Sequence, residues 1–202
     1  DALGTGAVTV NSGGELRLWI NNTASFTLDN AFTLDGGTIH SEDGQYDITG
    51  TMALSAGGGT LSGKWDNKYV QVSGVISGAG ALTIDEVASS QNGHVILSGA
   101  NTYSGATTVT AGLLQLGNNA ALGSTAGATT VSSGAELDGA SFDPTSGENF
   151  TISGTGHDGA GGRGALYSTA NSTSFAGGST ITLAANTEIG GGGGRVDNFA
   201  TI

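Results

Sequence analysis

A short unit recurs along this chain. GATTVTAG at 105–112 aligns without a gap on GATTVSSG at 127–134, and GAVTVNSGGEL at 6–16 aligns on GATTVSSGAEL at 127–137. Looser copies are LDGGTI at 34–39, SGAGALTI at 77–84 and GSTITLAANTEIG at 178–190. Each copy is a short segment, a turn of small residues, and another short segment. A unit this small cannot bury a core alone, so successive units must stack on one another.

Within the units, apolar residues alternate at period two: Val8 and Val10; Leu16, Leu18 and Ile20; Leu82 and Ile84; Leu114 and Leu116; Phe150 and Ile152. Such short alternation, bounded by Gly, Asn, Ser and Asp, predicts half-buried strands. No run keeps the i, i+3, i+4 apolar spacing of a helix. Glycine supplies 38 of 202 residues and proline one, Pro144, which suits many tight corners but lacks the every-third glycine and abundant proline of collagen. A β-sandwich would close its hairpins with Asp-Gly turns, and DG occurs at 35–36, 43–44, 138–139 and 158–159. A propeller needs a blade signature every ~40–50 residues, which is lacking. The offset from Gly105 to Gly127 favours an all-β parallel β-helix (a solenoid) with coils of roughly 20–25 residues. In that fold Val10, Leu16, Leu82, Leu114, Leu116, Val131, Leu137, Ile181 and Leu183 point inward, because one parity of each strand faces the core. Residues 1–202 read as a single β-helix segment, with 40–72 the least regular part and a candidate loop excursion.

LSGANTYSGATTVTAGLLQLGNNAALGSTAGATTVSSGAELD, residues 97–138, resembles the autotransporter-associated β-strand repeat of bacterial surface proteins. The matching pattern is L-S-G-A-N-T-Y-x-G-x-T-x-V-x-x-G-x-L-x-L-G from Leu97 to Gly117, and the likeness extends to about residue 194. The resemblance implies the passenger region of an exported protein, folded as a right-handed parallel β-helix, extracellular or on the bacterial cell surface, and acting as stalk, fibre or adhesin scaffold. The repeat brings no catalytic residues with it. The strands at both ends read as repeat interiors, so the native polypeptide is expected to continue on both sides.

Charge removes several classes of function. Seventeen acidic residues against five basic ones give a net charge of −12, the wrong sign for nucleic acid or anionic lipid. No apolar run approaches a membrane span. Without cysteine, disulfides and thiolate metal sites are excluded. Acids cluster at Asp29/Asp35, Glu42/Asp43/Asp47 and Asp85/Glu86, and a pair one coil apart would meet the carboxyl spacing of a glycosidase. A polysaccharide lyase or glycosidase is therefore the alternative from another class, though Asp and Glu at corners are ordinary turn residues. Neither a nine-residue calcium repeat nor an EF-hand loop is present. His40, His94 and His157 lie far apart beside turns and read as solvent-exposed loop residues. No metal or cofactor is assigned.

Recognition, if it occurs here, is expected at KWDNKY, 64–69, where Trp65 and Tyr69 offer stacking surfaces for a glycan or a protein of a host or neighbouring cell. Outward threonines in ATTV, STIT and ANTY offer a third reading, an ice- or surface-binding array, but the uneven repeat offsets argue against a regular rank. Neither DALGTGAVTV nor GGRVDNFATI has a cap, so residues 1–10 and 193–202 are expected to pair with flanking coils or end to end with another copy.

Overall fold

The computed structural model describes residues 3–20, 25–64, 68–86, 93–145, 147–157, 163–175, 178–190 and 195–197. The first two coils are β1 (Val8–Asn11), β2 (Glu15–Trp19), β3 (Ser25–Leu28) and β4 (Phe32–Asp35), β5 (Gly37–Asp43), β6 (Gln45–Ile48). The next two are β7 (Met52–Leu54), β8 (Gly59–Gly63), β9 (Tyr69–Val72) and β10 (Ile76–Gly78), β11 (Leu82–Glu86), β12 (His94–Leu97). Then come β13 (Thr107–Val109) and β14 (Gly112–Leu116), followed by β15 (Thr129–Val131) and β16 (Ala135–Asp138). The last turns hold β17 (Phe150–Gly154), β18 (Leu166–Tyr167), β19 (Ser172–Ser174), β20 (Ile181–Thr187) and β21 (Arg195–Asp197).

Each strand pairs with its counterpart one coil away. One sheet runs β1-β4-β7-β10, a second β2-β5-β8-β11-β13-β15-β17-β20, and a third β3-β6-β9-β12-β14-β16-β18. Strand ladders are parallel throughout, with Leu82 opposite Thr107 and Thr107 opposite Thr129, for example. The chain is thus a parallel β-helix without helical segments among the described residues, and the sandwich is excluded. Eight strands at ~4.8 Å spacing make the second sheet about 34 Å long.

The core is a set of apolar columns along the axis. Ile39, Leu61, Ile84, Val109, Val131 and Ile152 stack in the second sheet, all fully buried. Tyr46, Val70, Val95, Leu114, Leu137 and Leu166 stack in the third. Full burial of each aliphatic side chain contributes about 1.5–3 kcal/mol. Of the residues expected inward, Val10, Leu82, Leu114, Leu116, Val131, Leu137 and Ile181 are buried. Leu16 is only half-buried, and Leu183 is 46 % exposed although it lies opposite buried Ile152. Both sit on the outermost strands of the second sheet, β2 and β20, so each lacks a described strand beyond it. The stretch 40–72 carries paired strands from the end of β5 through β9.

Glycine serves closeness of coils more than turn geometry. A Cβ on Gly74 would lie 1.9 Å from the Gly50 carbonyl oxygen, and one on Gly105 2.1 Å from that of Gly80. At these corners the backbones of successive coils touch, and a methyl group has no room.

One interruption of the ladder is repaired by a side chain. After β10 the first sheet has no fifth strand; residues 101–104 take its place. Asn101 is buried, its Oδ1 accepting from Ile76 N at 2.8 Å and its Nδ2 donating to Ala121 O at 2.7 Å. Thr102 N and Ser104 N donate to Ile76 O and Gly78 O. The amide of Asn101 therefore bridges the coil on each side of its own.

Candidate functional site

A β-bulge creates the most concentrated chemistry on the surface. Along β2, Leu16 and Leu18 face in, so Arg17 and Trp19 face out. Arg17 lies opposite His40 and Leu18 opposite Ser41, but Trp19 lies opposite Asp43, leaving Glu42 as the extra residue. A bulge re-aims the side chain it carries. Glu42 here accepts hydrogen bonds from Arg17 Nη2 and Lys64 Nζ, and its Oε2 lies 3.2 Å from His40 Nε2. Lys68 Nζ is 3.0 Å from Asp43 Oδ1. The bonds from Lys64, His40 and Arg17 hold the Glu42 carboxyl down at about 2, against an ordinary value of 4.5, with burial opposing them. Three of the five cations in the chain thus meet at one corner, with Trp19 70 % exposed beside them.

Beneath this corner His40 is fully buried, with its Nδ1 unpartnered, and Ser62, opposite it on β8, is also buried with an unpartnered Oγ. The histidines are not solvent-exposed loop residues, contrary to expectation. His40 lies in β5, and His94 lies in β12 with Tyr69 edge-on to it at 5.9 Å. The His157 side chain is largely buried against Glu86 at 2.9 Å, although the two are far apart in sequence. The chain just after β17 reaches back across several coils to make that contact.

Other acids tie coils together instead of standing free at corners. Asp47 accepts from Ser73 at 2.7 Å, Asp35 from Gly57 N at 3.1 Å, and Asp85 from Thr110 at 3.0 Å. Asp138, fully buried, accepts from Gln115, Ala140 N and both N–H and hydroxyl of Thr169. No three His, Asp or Glu side chains are grouped to hold a metal ion among the described residues. Trp65 lies outside the described residues. Tyr69 is on β9, half-buried against His94.

Stacking also brings together what spacing concealed. Thr38, Thr60, Thr83, Thr108, Thr130, Thr151 and Thr182 occupy one register of the second sheet, one per coil. All face outward, between buried neighbours such as Leu82 and Ile84, and no described group bonds any of the seven hydroxyls. The rank is regular although its members are unevenly spaced in sequence, because coils of unequal length absorb the difference in their corners. Alternate threonines of the same segments, Thr107 and Thr129, point inward. Thr129 Oγ1 donates to Glu148 Oε1 at 2.8 Å, and Thr107 Oγ1 lies 2.7 Å from Tyr103 OH. Glu148 is buried, and burial raises its carboxyl to about 7 despite the bond from Thr129.

A stacked β-solenoid with passenger-like repeats defines the class. The passenger-associated-transport-repeat matches residues 90–116, the region that contains Asn101 and Tyr103. The chain is 36 % identical over 189 residues, 89 % of its length, to the autotransporter adhesin BmaC of Brucella suis biovar 1 (strain 1330). It spans only 5 % of that protein. No solved structure matches it. The chain thus carries one passenger-associated-transport-repeat and is similar over most of its own length to an autotransporter adhesin.

Proposed function

We propose that this chain is a non-enzymatic segment of an exported passenger, a rod on the bacterial surface that serves as stalk or adhesin scaffold. The observation that carries this reading is the unbroken second sheet of eight strands, whose regular geometry serves stacking. Acids suited to a glycosidase are instead used as hydrogen-bond acceptors between coils, as at Asp35, Asp47 and Asp85. The similar adhesin supports the adhesive half of the reading. At the first coil, β1, β2 and β3 are the outer strands of their sheets, and an apolar groove of about 410 Å³ opens among Leu16, Leu18, Phe26 and Leu28. That end suits a flanking coil of the same polypeptide, or an end-to-end copy, because bare strand edges recruit strands. Of the end segments, residues 1–2, 193–194 and 198–202 lie outside the described residues.

Beads coated with the folded chain test the adhesive reading. They are expected to hold to cell monolayers under flow, whereas beads bearing heat-denatured chain wash off. Equal retention of both, or turnover of acidic or neutral polysaccharides by the chain, contradicts it. The threonine rank favours a second reading, the ice- or surface-binding array, since an ordered lattice needs ordered groups opposite it. Thermal hysteresis that disappears when Thr83, Thr108 and Thr130 are changed to Lys is its signature.

A further inference from the structure

We propose that Trp19, Arg17 and Lys64 form a binding site for a carboxylate-bearing sugar chain, a hexuronate oligosaccharide; this rests on the adhesive reading and gives it a ligand class. The site is the outer face of the first three coils, where the Glu42 bulge gathers the cations.

Charge is the first argument. Arg17, Lys64 and Lys68 balance Glu15, Glu42 and Asp43 on this face, which is therefore locally neutral within a chain of −12. An anionic ligand repelled by most of the rod is admitted at this corner. Glu42 keeps Arg17 and Lys64 in place in advance, so little side-chain freedom remains to be lost on binding. Arg17 is 57 % exposed and directs Nη2 to Glu42. A guanidinium has five N–H donors in a planar fork that matches a carboxylate, so donors remain for a ligand.

Exposure is the second. Trp19 is 70 % exposed, and the residues that carry most binding energy at recognition sites are enriched in Trp and Arg. Trp19 and Arg17 are two residues apart on one strand and so stand side by side on the same face. The apolar C–H face of a pyranose lies on the ring while its carboxylate meets the guanidinium. A coil stacked before the first would pair along the edge of β2 and leave this outer face open.

The surroundings favour a sugar over an acidic peptide. On the same face run Thr38 and Thr60 of the rank, whose hydroxyls are unbonded and match the alternating hydroxyls of further sugar units.

Calorimetric titration with tetragalacturonate tests the site, against its neutral galactose counterpart and tetraglutamate. The uronide is expected to bind at least tenfold more tightly than either, and more weakly as salt rises. Trp19→Ala and Arg17→Gln should each weaken it tenfold or more, with circular dichroism unchanged, since both side chains point outward. Lys64→Gln is the second cation variant. Equal binding of the neutral sugar, tighter binding of tetraglutamate, or undiminished binding by Trp19→Ala overturns the proposal. If uronide binding is absent while coated beads still adhere, the site fails and the adhesive reading stands; if native and denatured beads adhere alike, the adhesive reading is what fails.

Discussion

Two glutamates set opposite pH dependences on this fold. Glu148 is buried among Thr129 and the coil interior, and its carboxyl sits at about 7 against 4.5 ordinarily. The folded state therefore binds its proton more tightly than the unfolded state. Its contribution is fully present below the unfolded value near 4.5 and is lost as pH rises through about 7. A shift of this size corresponds to roughly 3 kcal/mol. Glu42 has the reverse sign: its value near 2 gives stability that is present above 4.5 and fades as pH falls toward 2. Denaturant unfolding should accordingly show a decline between about pH 5 and 8 in the native chain. Glu148→Gln, which stays neutral, should flatten that decline. Parallel pH profiles for the two proteins would show that Glu148 is not the group responsible. Sequence reading does not find Glu148, because a glutamate in TSGENF looks like any corner acid; only the inward turn of Thr129 shows where it lies.

Among the elements, the segment at Asn101 carries unusual responsibility. It is part of the matched repeat, and the letters N-T-Y are legible as a motif, but their meaning is not. Asn101 stands where a strand would, and its amide joins Ile76 N to Ala121 O across two coils. Asn101→Ala leaves both groups buried without partners, at about 1–3 kcal/mol each. The expected outcome is a loss of about 2–4 kcal/mol in denaturant unfolding, together with faster hydrogen exchange at the Ile76 amide. A loss under about 0.5 kcal/mol, or unchanged exchange at Ile76, would contradict the bridging role. Strand parity is more readable: alternation at Leu82/Ile84 and Leu114/Leu116 places them inside, as observed. It holds at TTV as well, where Thr107 and Thr129 share the core-facing parity of Val109 and Val131 while Thr108 and Thr130 face out, although residue type alone does not mark the first threonine as buried. The bulge at Glu42 has no signal at all, since a one-residue excess appears only when β2 and β5 are laid side by side.

At the scale of the whole molecule, an approximate repeat suffices to predict stacked coils, because stacking is the only way such units bury a core. It does not suffice to predict what lines up on the outside. Along the threonine rank, the sequence step from Thr151 to Thr182 is about half as long again as the step from Thr130 to Thr151. The corners absorb that variation, so a rank that reads as irregular in sequence is regular in space. The most direct test uses the absence of native cysteine: spin labels are placed at Thr38→Cys with Thr151→Cys, and at Thr60→Cys with Thr151→Cys, and their separations measured by pulsed dipolar spectroscopy. Five and four coil steps at ~4.8 Å predict Cα separations of about 24 and about 19 Å, differing by one coil spacing. Separations that fail to shorten by about 5 Å from the first pair to the second would contradict the stacked, in-register solenoid.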